Sequence, residues 1–251
     1  AEGKVTAKRF AATARVSLRE GKFKVGTQDI AAEGVEADLE FSDLWKYRTK
    51  SAGLRMAEFR IGELPLREVT ADFGLWGAKT IIVNGSRASA LGGTVATDAF
   101  RLYLDQRNAG LTLRVENLDP EQLLRLAPDV PVKLPGRVSG VLPLRVHDEG
   151  VRMLTGFLAL QPEGKTDFAL NALSVVRSGA TMDAATLKVL KAAGAEPLRL
   201  QLTDLRLDIR PPDAPLGSSA RLHVAGGTED GPVAFDYNVN GAIERYLRVL
   251  P

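Results

Sequence analysis

Apolar and polar residues alternate along most of the chain, the period of two that turns one side of a β-strand toward a core and the other toward water. Leu111, Leu113 and Val115 alternate with Thr112, Arg114 and Glu116, and Val35, Ala37, Leu39 and Phe41 alternate with Glu36, Asp38 and Glu40. The same pattern recurs in residues 14–18, 23–25, 69–75, 100–104, 142–146, 198–202, 205–209, 220–224 and 233–239, which predicts about eleven strands. The apolar phase slips between Leu202 and Leu205 across Thr203 and Asp204, so a bulge or tight turn belongs there. Glu20-Gly21, Asn84-Gly85, Gly92-Gly93, Glu149-Gly150, Pro211-Pro212 and Gly226-Gly227 carry the residue types of turns.

Three short segments change to helical spacing. In residues 117–126, Asp119 is placed to cap a helix, Pro120 to occupy its first position, and Pro128 to end it. Residues 182–193 put Leu187 and Leu190 on one face, between a capping Asp183 and a terminating Gly194. The third follows Gly241, over residues 242–250. Helices this short form no layer of their own, and plugging the ends or edges of a sheet is the role left to them. The expected fold is therefore mainly β, a long curled antiparallel sheet forming a groove, with about three short helices. It is expected to be a single elongated domain over residues 1–251, with a possible subdivision near 128–136. No tandem repeat of fixed period is present, which disfavours a regular solenoid. If the chain is a slice of a longer sheet, its unpaired edge strands would be joints to neighbouring segments or partners.

Composition narrows the function. Apolar residues make up 45% of the chain and charged residues 25%, so a core is expected, while aromatics are only 6%. Leu, Val and Ala dominate the apolar content, favouring an aliphatic interior over stacking platforms for bases or sugars. The 33 basic residues against 31 acidic ones leave +2, too little to demand a polyanionic partner such as nucleic acid. Residues 1–24 are locally basic, with Lys4, Lys8, Arg9, Arg15, Arg19, Lys22 and Lys24 against Glu2 and Glu20. They suit either anionic headgroups or, more simply, a solvated strand face. With no cysteine, disulfides, thiolate zinc sites and cysteine nucleophiles are excluded. No stretch approaches the ~20 apolar residues of a membrane-spanning helix. The chain opens Ala1-Glu2-Gly3 without methionine, so a leader, an anchor or a longer N-terminal part is expected to precede it.

No catalytic constellation assembles. Nucleophile elbows, phosphate loops and dinucleotide fingerprints are absent from the sequence. His147 and His223 are the only histidines; they lie at or beside alternating strand positions and read as surface or rim residues. Asp98 with Asp105, and Glu229 with Asp230, could be cast as acid/base pairs, but turn carboxylates explain them more simply. Trp45, Tyr47 and Trp76 could form a small aromatic contact site, with a core or sheet-rim place the simpler reading. No enzyme, cofactor or metal is expected.

A resemblance enters through collinear phrases. Residues 34–44 (Gly34-Val35-Glu36-Ala37-Asp38-Leu39-Glu40-Phe41-Ser42-Asp43-Leu44) lead to Leu54, Gly62 and Leu64-Pro65-Leu66. Then come Gly92-Gly93-Thr94-Val95, residues 111–119, and Pro135-Gly136-Arg137-Val138-Ser139-Gly140-Val141-Leu142-Pro143-Leu144. Residues 198–209 and 231–240 supply a closing block. In this order the phrases resemble the C-terminal region of the YdbH-like family, once labelled a dicarboxylate transport domain and grouped with AsmA/TamB-like bridge proteins. The resemblance implies a groove-like β structure in the periplasm that carries phospholipids toward the outer membrane. It also implies a small outer-membrane lipoprotein bound near the C-terminal end and an inner-membrane anchor in the full-length protein, of which this chain would be a C-terminal segment or a shortened relative. Alternation and resemblance together make Leu111, Leu113, Val115, Leu142, Leu144, Val146, Leu200, Leu202, Leu222, Val224, Phe235 and Tyr237 the expected lining for acyl chains. The same residues would equally fill the core of a closed sandwich, and an envelope scaffold that binds partners by strand addition is the alternative function.

Overall fold

A computed structural model describes residues 12–25, 30–61, 64–106, 108–125, 136–147, 150–161, 167–177, 180–194, 197–210 and 220–239. They form a mainly β structure, one antiparallel sheet that does not close into a barrel. The first half is a run of strands: β1 (Ala14–Val25), β2 (Ile30–Asp43), β3 (Arg48–Ile61), β4 (Leu64–Leu75), β5 (Thr80–Ala90), β6 (Gly93–Thr97), β7 (Phe100–Tyr103) and β8 (Ala109–Leu118). Helix α1 (Pro120–Arg125) follows, then β9 (Arg137–His147), β10 (Gly150–Met153), β11 (Gly156–Gln161) and β12 (Asp167–Asn171). Helix α2 (Ala172–Arg177), the two-residue β13 (Thr181–Met182) and helix α3 (Ala184–Ala193) precede β14 (Pro197–Ile209), β15 (Ala220–Thr228) and β16 (Gly231–Val239). The strands lie in the order β1-β2-β3-β4-β5-β6-β8-β9-β11-β14-β15-β16-β13, with β7, β10 and β12 paired to β5, β9 and β14.

Among the described residues there are sixteen strands where alternation predicted about eleven over the chain. Two expected pairs are each one strand: residues 14–18 and 23–25 belong to β1, and residues 198–202 and 205–209 to β14, whose register shifts between Leu202 and Asp204 as the phase slip required. Three expected turns are corrected. Glu20-Gly21, Asn84-Gly85 and Gly226-Gly227 all lie inside strands, the first two at register shifts. Turn chemistry and bulge chemistry are alike, because both need a residue that tolerates a left-handed backbone or a missing side chain. Gly92 does sit at the β5–β6 turn, whereas residues 149 and 211–212 fall outside the described residues.

Left-handed residues reset the side-chain phase across the first four strands. Glu20 in β1, Gly34 in β2 and Glu68 in β4 have φ of 54°, 60° and 51°. On one side of this line, Leu18, Ala37, Leu54 and Ala71 are successive cross-strand partners; on the other, Phe23, Ala32, Phe59 and Leu66 are. Each strand thus changes phase where the line crosses it, and both halves keep their apolar residues on one face. A simple alternation carried through would have sent half of them to water. At Gly34 a side chain is excluded twice over, by φ and by Ala57, whose Cβ would lie 2.7 Å from an added Cβ.

Of the expected helices, two form. Pro120 opens α1, where the Asp119 carboxylate accepts from the Glu121 amide at 2.9 Å. Asp183 caps α3, accepting from the Thr186 amide at 2.7 Å, and Gly194 ends it. Residues 242–250 lie outside the described residues, and α2 is a helix that the spacing did not predict. Position 128 also lies outside them, as do all of residues 128–136 but Gly136; β8 and β9, on either side, pair directly through Leu111↔Leu144 and Leu113↔Leu142.

Candidate functional site

Register places the expected lining on one face. Leu111 and Leu113 stand across from Leu144 and Leu142, Leu222 lies between Leu207 and Tyr237, and Val224 lies between Leu205 and Phe235. The bulge in β14 brings Leu200 and Leu202 to this same face, because Leu202 pairs with Gly226, two residues along from Val224. Val146 pairs with Ala109 through its backbone, and its side chain is outside the described residues.

The face has two regimes. Val115, Leu200, Leu202, Val224 and Phe235 are buried in one cluster with Ala172 and Val175 of α2 and Leu190 of α3, and Leu142 and Leu222 pack against it. Leu190 and Leu200 have no exposed surface. These five of the expected lining residues are therefore core residues, in one buried cluster with the helices α2 and α3, which act as a plug at this end of the face. Leu111, Leu113 and Leu144 are half-buried, and Tyr237 is 38% exposed. The plug also finishes an edge: β13 pairs with Asp236 and Phe235 of β16, and the Thr186 hydroxyl accepts from the Ala234 amide at 3.1 Å.

Over β1–β5 no helix covers the apolar face among the described residues. A smaller cluster of Ala32, Val35, Met56, Val69 and Ala88, with Leu54, Phe59 and Leu66 beside it, makes its floor. Val16, Leu18 and Phe23 on the same face remain 48%, 48% and 45% exposed, and the Phe23 ring lies 6.5 Å from that of Phe59. These residues were legible as strand positions but not as lining. The available signal was the absence of helical spacing before Asp119, which leaves the first half of the sheet without a cover.

The opposite face is ionic. Arg15, Arg19 and Lys22 of the basic N-terminal segment pair across to Glu40, Asp38 and Glu33 of β2 at 3.6, 2.7 and 3.7 Å. These three stand on a solvated strand face, where such exposed pairs add little stability; Lys4, Lys8 and Arg9 lie outside the described residues. Arg114 grips Asp98 with two hydrogen bonds of 2.9 and 3.0 Å, and Lys79 meets Asp105 at 3.3 Å, so neither carboxylate is placed as an acid/base pair. Glu229 and Asp230 form the tip of the β15–β16 hairpin. His147 is outside the described side chains; His223 bonds through Nδ1 to Asp236 at 2.8 Å, with Arg221 on the same carboxylate. Among the described residues no group of three or more His, Asp or Glu is arranged to hold a metal ion.

The Arg221 guanidinium holds Asp236 below the ordinary carboxylate range, with burial opposing it and His223 assisting. A carboxyl whose pKa is lower folded than unfolded contributes stability that is complete above the unfolded value of about 3.9 and lost as pH falls through the folded value. Asp236→Asn is therefore expected to lower stability at neutral pH. Its deficit relative to the parent should shrink as urea titrations are repeated from pH 5 downward; a deficit independent of pH would contradict this account.

These features define a mainly β protein, one long antiparallel sheet with an aliphatic face, partly plugged and partly open among the described residues, and an ionic face behind it. The chain belongs to the YdbH-like family, whose model, described as intermembrane phospholipid transport protein YdbH, matches residues 8–185. The match takes in the phrases from Gly34 to Leu144, and the closing block over residues 198–240 lies beyond it. No curated protein and no solved structure matches the chain. The family is described by transport and not by a reaction. No helix among the described residues is long and apolar enough to cross a membrane.

Proposed function

We propose that this chain carries phospholipid acyl chains along its apolar face, in the periplasm between two membranes. The observation that carries the reading is the near-half exposure of Val16, Leu18 and Phe23 on a face that is otherwise apolar across successive strands. Burying a methylene is worth ~0.8 kcal/mol, so an acyl chain of about sixteen carbons gains on the order of 12 kcal/mol over water without any specific contact. Such a surface holds a chain yet lets it slide. The path runs over β1–β5 and on past Leu111, Leu113, Leu142 and Leu144, and the α2–α3 plug bounds it. The inner-membrane anchor and the outer-membrane lipoprotein implied by the resemblance belong to the same reading.

Mass spectrometry of organic extracts of the purified protein tests it. The parent is expected to carry phospholipid, and a Val16→Asp/Leu18→Asp variant to carry on the order of tenfold less, since 1.4 kcal/mol suffices for a decade. The circular dichroism of the variant should be unchanged, because both positions are already half in water. Equal lipid in both proteins, or none in the parent, would sink the proposal. A scaffold that binds partners by strand addition is the second reading, favoured by the outer edge of β1, which no described strand pairs. Photo-crosslinkers at Leu18, Leu113 and Leu144 that label protein and never lipid would establish it instead.

A further inference from the structure

The chain has two tryptophans, and both stand in water at the same end of the sheet. Trp45 lies in the β2–β3 connection and is 71% exposed; Trp76 lies in the β4–β5 connection and is 59% exposed. Tyr47, at 52%, stands two residues after Trp45; Tyr103, at 37%, ends β7, and Leu104, at 47%, begins the β7–β8 connection. Backbone hydrogen bonds tie the three connections together: the Gly77 amide donates to the Tyr47 carbonyl at 3.2 Å, and the Leu104 amide to the Lys79 carbonyl at 2.8 Å. The Arg48 guanidinium lies 4.4 Å from the centre of the Trp76 ring, which fixes a cation beside the aromatic.

Tryptophan is highly buried on average and large apolar surface is rarely left exposed in one place, so several aromatics exposed together on adjoining tips form a surface with a use. Its charge narrows the use. Lys46, Lys50 and Lys79 pair there with Asp43, Glu40 and Asp105 at 3.1, 3.4 and 3.3 Å, and Arg48 and Arg101 stand in or beside the connections as the cations in excess of these pairs. Tryptophan and tyrosine with lysine and arginine form the composition that settles at the boundary between headgroups and acyl chains, where the ring has an apolar body and a polar edge to satisfy. A protein interface would equally accept the aromatics, but a surplus of cations around them complements an anionic bilayer surface.

We infer that this end of the sheet, built on Trp45, Tyr47, Trp76, Tyr103 and Leu104, is a docking surface for the interface of an anionic phospholipid membrane. The inference goes beyond carriage of acyl chains and does not require it, since it concerns hairpin tips and not the apolar face.

Because the chain's only tryptophans are both in the patch, intrinsic fluorescence reports on it alone. Vesicles of phosphatidylglycerol and phosphatidylcholine are expected to move the emission to shorter wavelength, with pure phosphatidylcholine giving a weaker effect and added salt reducing it. In co-sedimentation, Trp45→Ala/Trp76→Ala should lose about tenfold or more of its affinity for the anionic vesicles, and Lys46→Glu/Lys79→Glu should lose affinity for anionic vesicles while leaving neutral ones unaffected. Both variants change exposed side chains, and circular dichroism checks that the fold persists. Unchanged emission on adding vesicles would overturn the inference, as would parent-like sedimentation of the tryptophan variant. Burial of the same tryptophans by a protein, without any effect of vesicles, would assign the patch to that partner and likewise overturn it. Lipid extraction reads the apolar face and vesicle partition reads the tips, so the two proposals fail separately.

Discussion

Gly140→Ala is expected to destabilise the sheet by about 2–3 kcal/mol, or roughly 4–12 °C in Tm for a chain of this size. Gly140 occupies the apolar face of β9 between Val115 and Leu158. A Cβ there would run into the carbonyl oxygen of Phe157 and lie 2.9 Å from the Leu158 Cα. Both are backbone atoms of a paired strand, so relief requires β9 and β11 to move apart and not merely a rotamer to change. Gly53→Ala is the control, because an added Cβ at Gly53 has nothing within 4 Å. It should match the parent or exceed it slightly through the less entropic unfolded chain. Equal melting temperatures for the two variants would refute the close approach as the reason for glycine at this position.

Leu190→Ala should cost about 2–5 kcal/mol at the plugged end, the range for emptying a fully buried leucine site. The side chain has no exposed surface, and its cluster spans α2, α3 and strands β8, β9, β11 and β14–β16. The loss should be confined there. Hydrogen exchange is expected to accelerate at amides of β14–β16 and to remain unchanged in β2–β4, whose floor is the separate cluster around Ala32 and Met56. Uniform acceleration over the sheet would mean that the two halves unfold as one unit. Leu18→Ala, at a position already half in water, should cost much less.

How far the fold could be read from the chain depends on whether local pattern and local chemistry agree. β8, with Leu111, Leu113 and Val115 in strict alternation, is unambiguous, and so is α3, whose cap at Asp183 and stop at Gly194 bracket an apolar face. β5 is not. Its apolar Ile81 and Val83 give way to Asn84-Gly85 and then to the small Ser86, Ala88 and Ala90, so a bulge inside a strand has the look of a turn between two weak segments. In β3 the apolar phase moves from Leu54 and Met56 to Phe59, opposite the left-handed Glu68, and no property of Met56-Ala57-Glu58 alone announces it. The candidate face divides for the same reason. Alternation tells which residues share a side, and Val115, Leu200, Leu202, Val224 and Phe235 do share one with Leu111 and Leu113. Which part of that side is covered depends on where α2 and α3 settle, a long-range packing outcome carried by residues such as Leu190 and Val233.

The main strand path follows the chain almost without detour: from β1 to β6 it takes each strand in sequence, and from β6 to β16 it skips only the short β7, β10, β12 and β13, of which β13 returns to pair with β16. Such wiring is additive. A hairpin can be spliced in or excised with no distant connection rerouted, so the length of the oily surface is set by counting hairpins. Evolution or an engineer can tailor reach in increments, much as a fence is extended by panels, while the helical stopper stays at its own end.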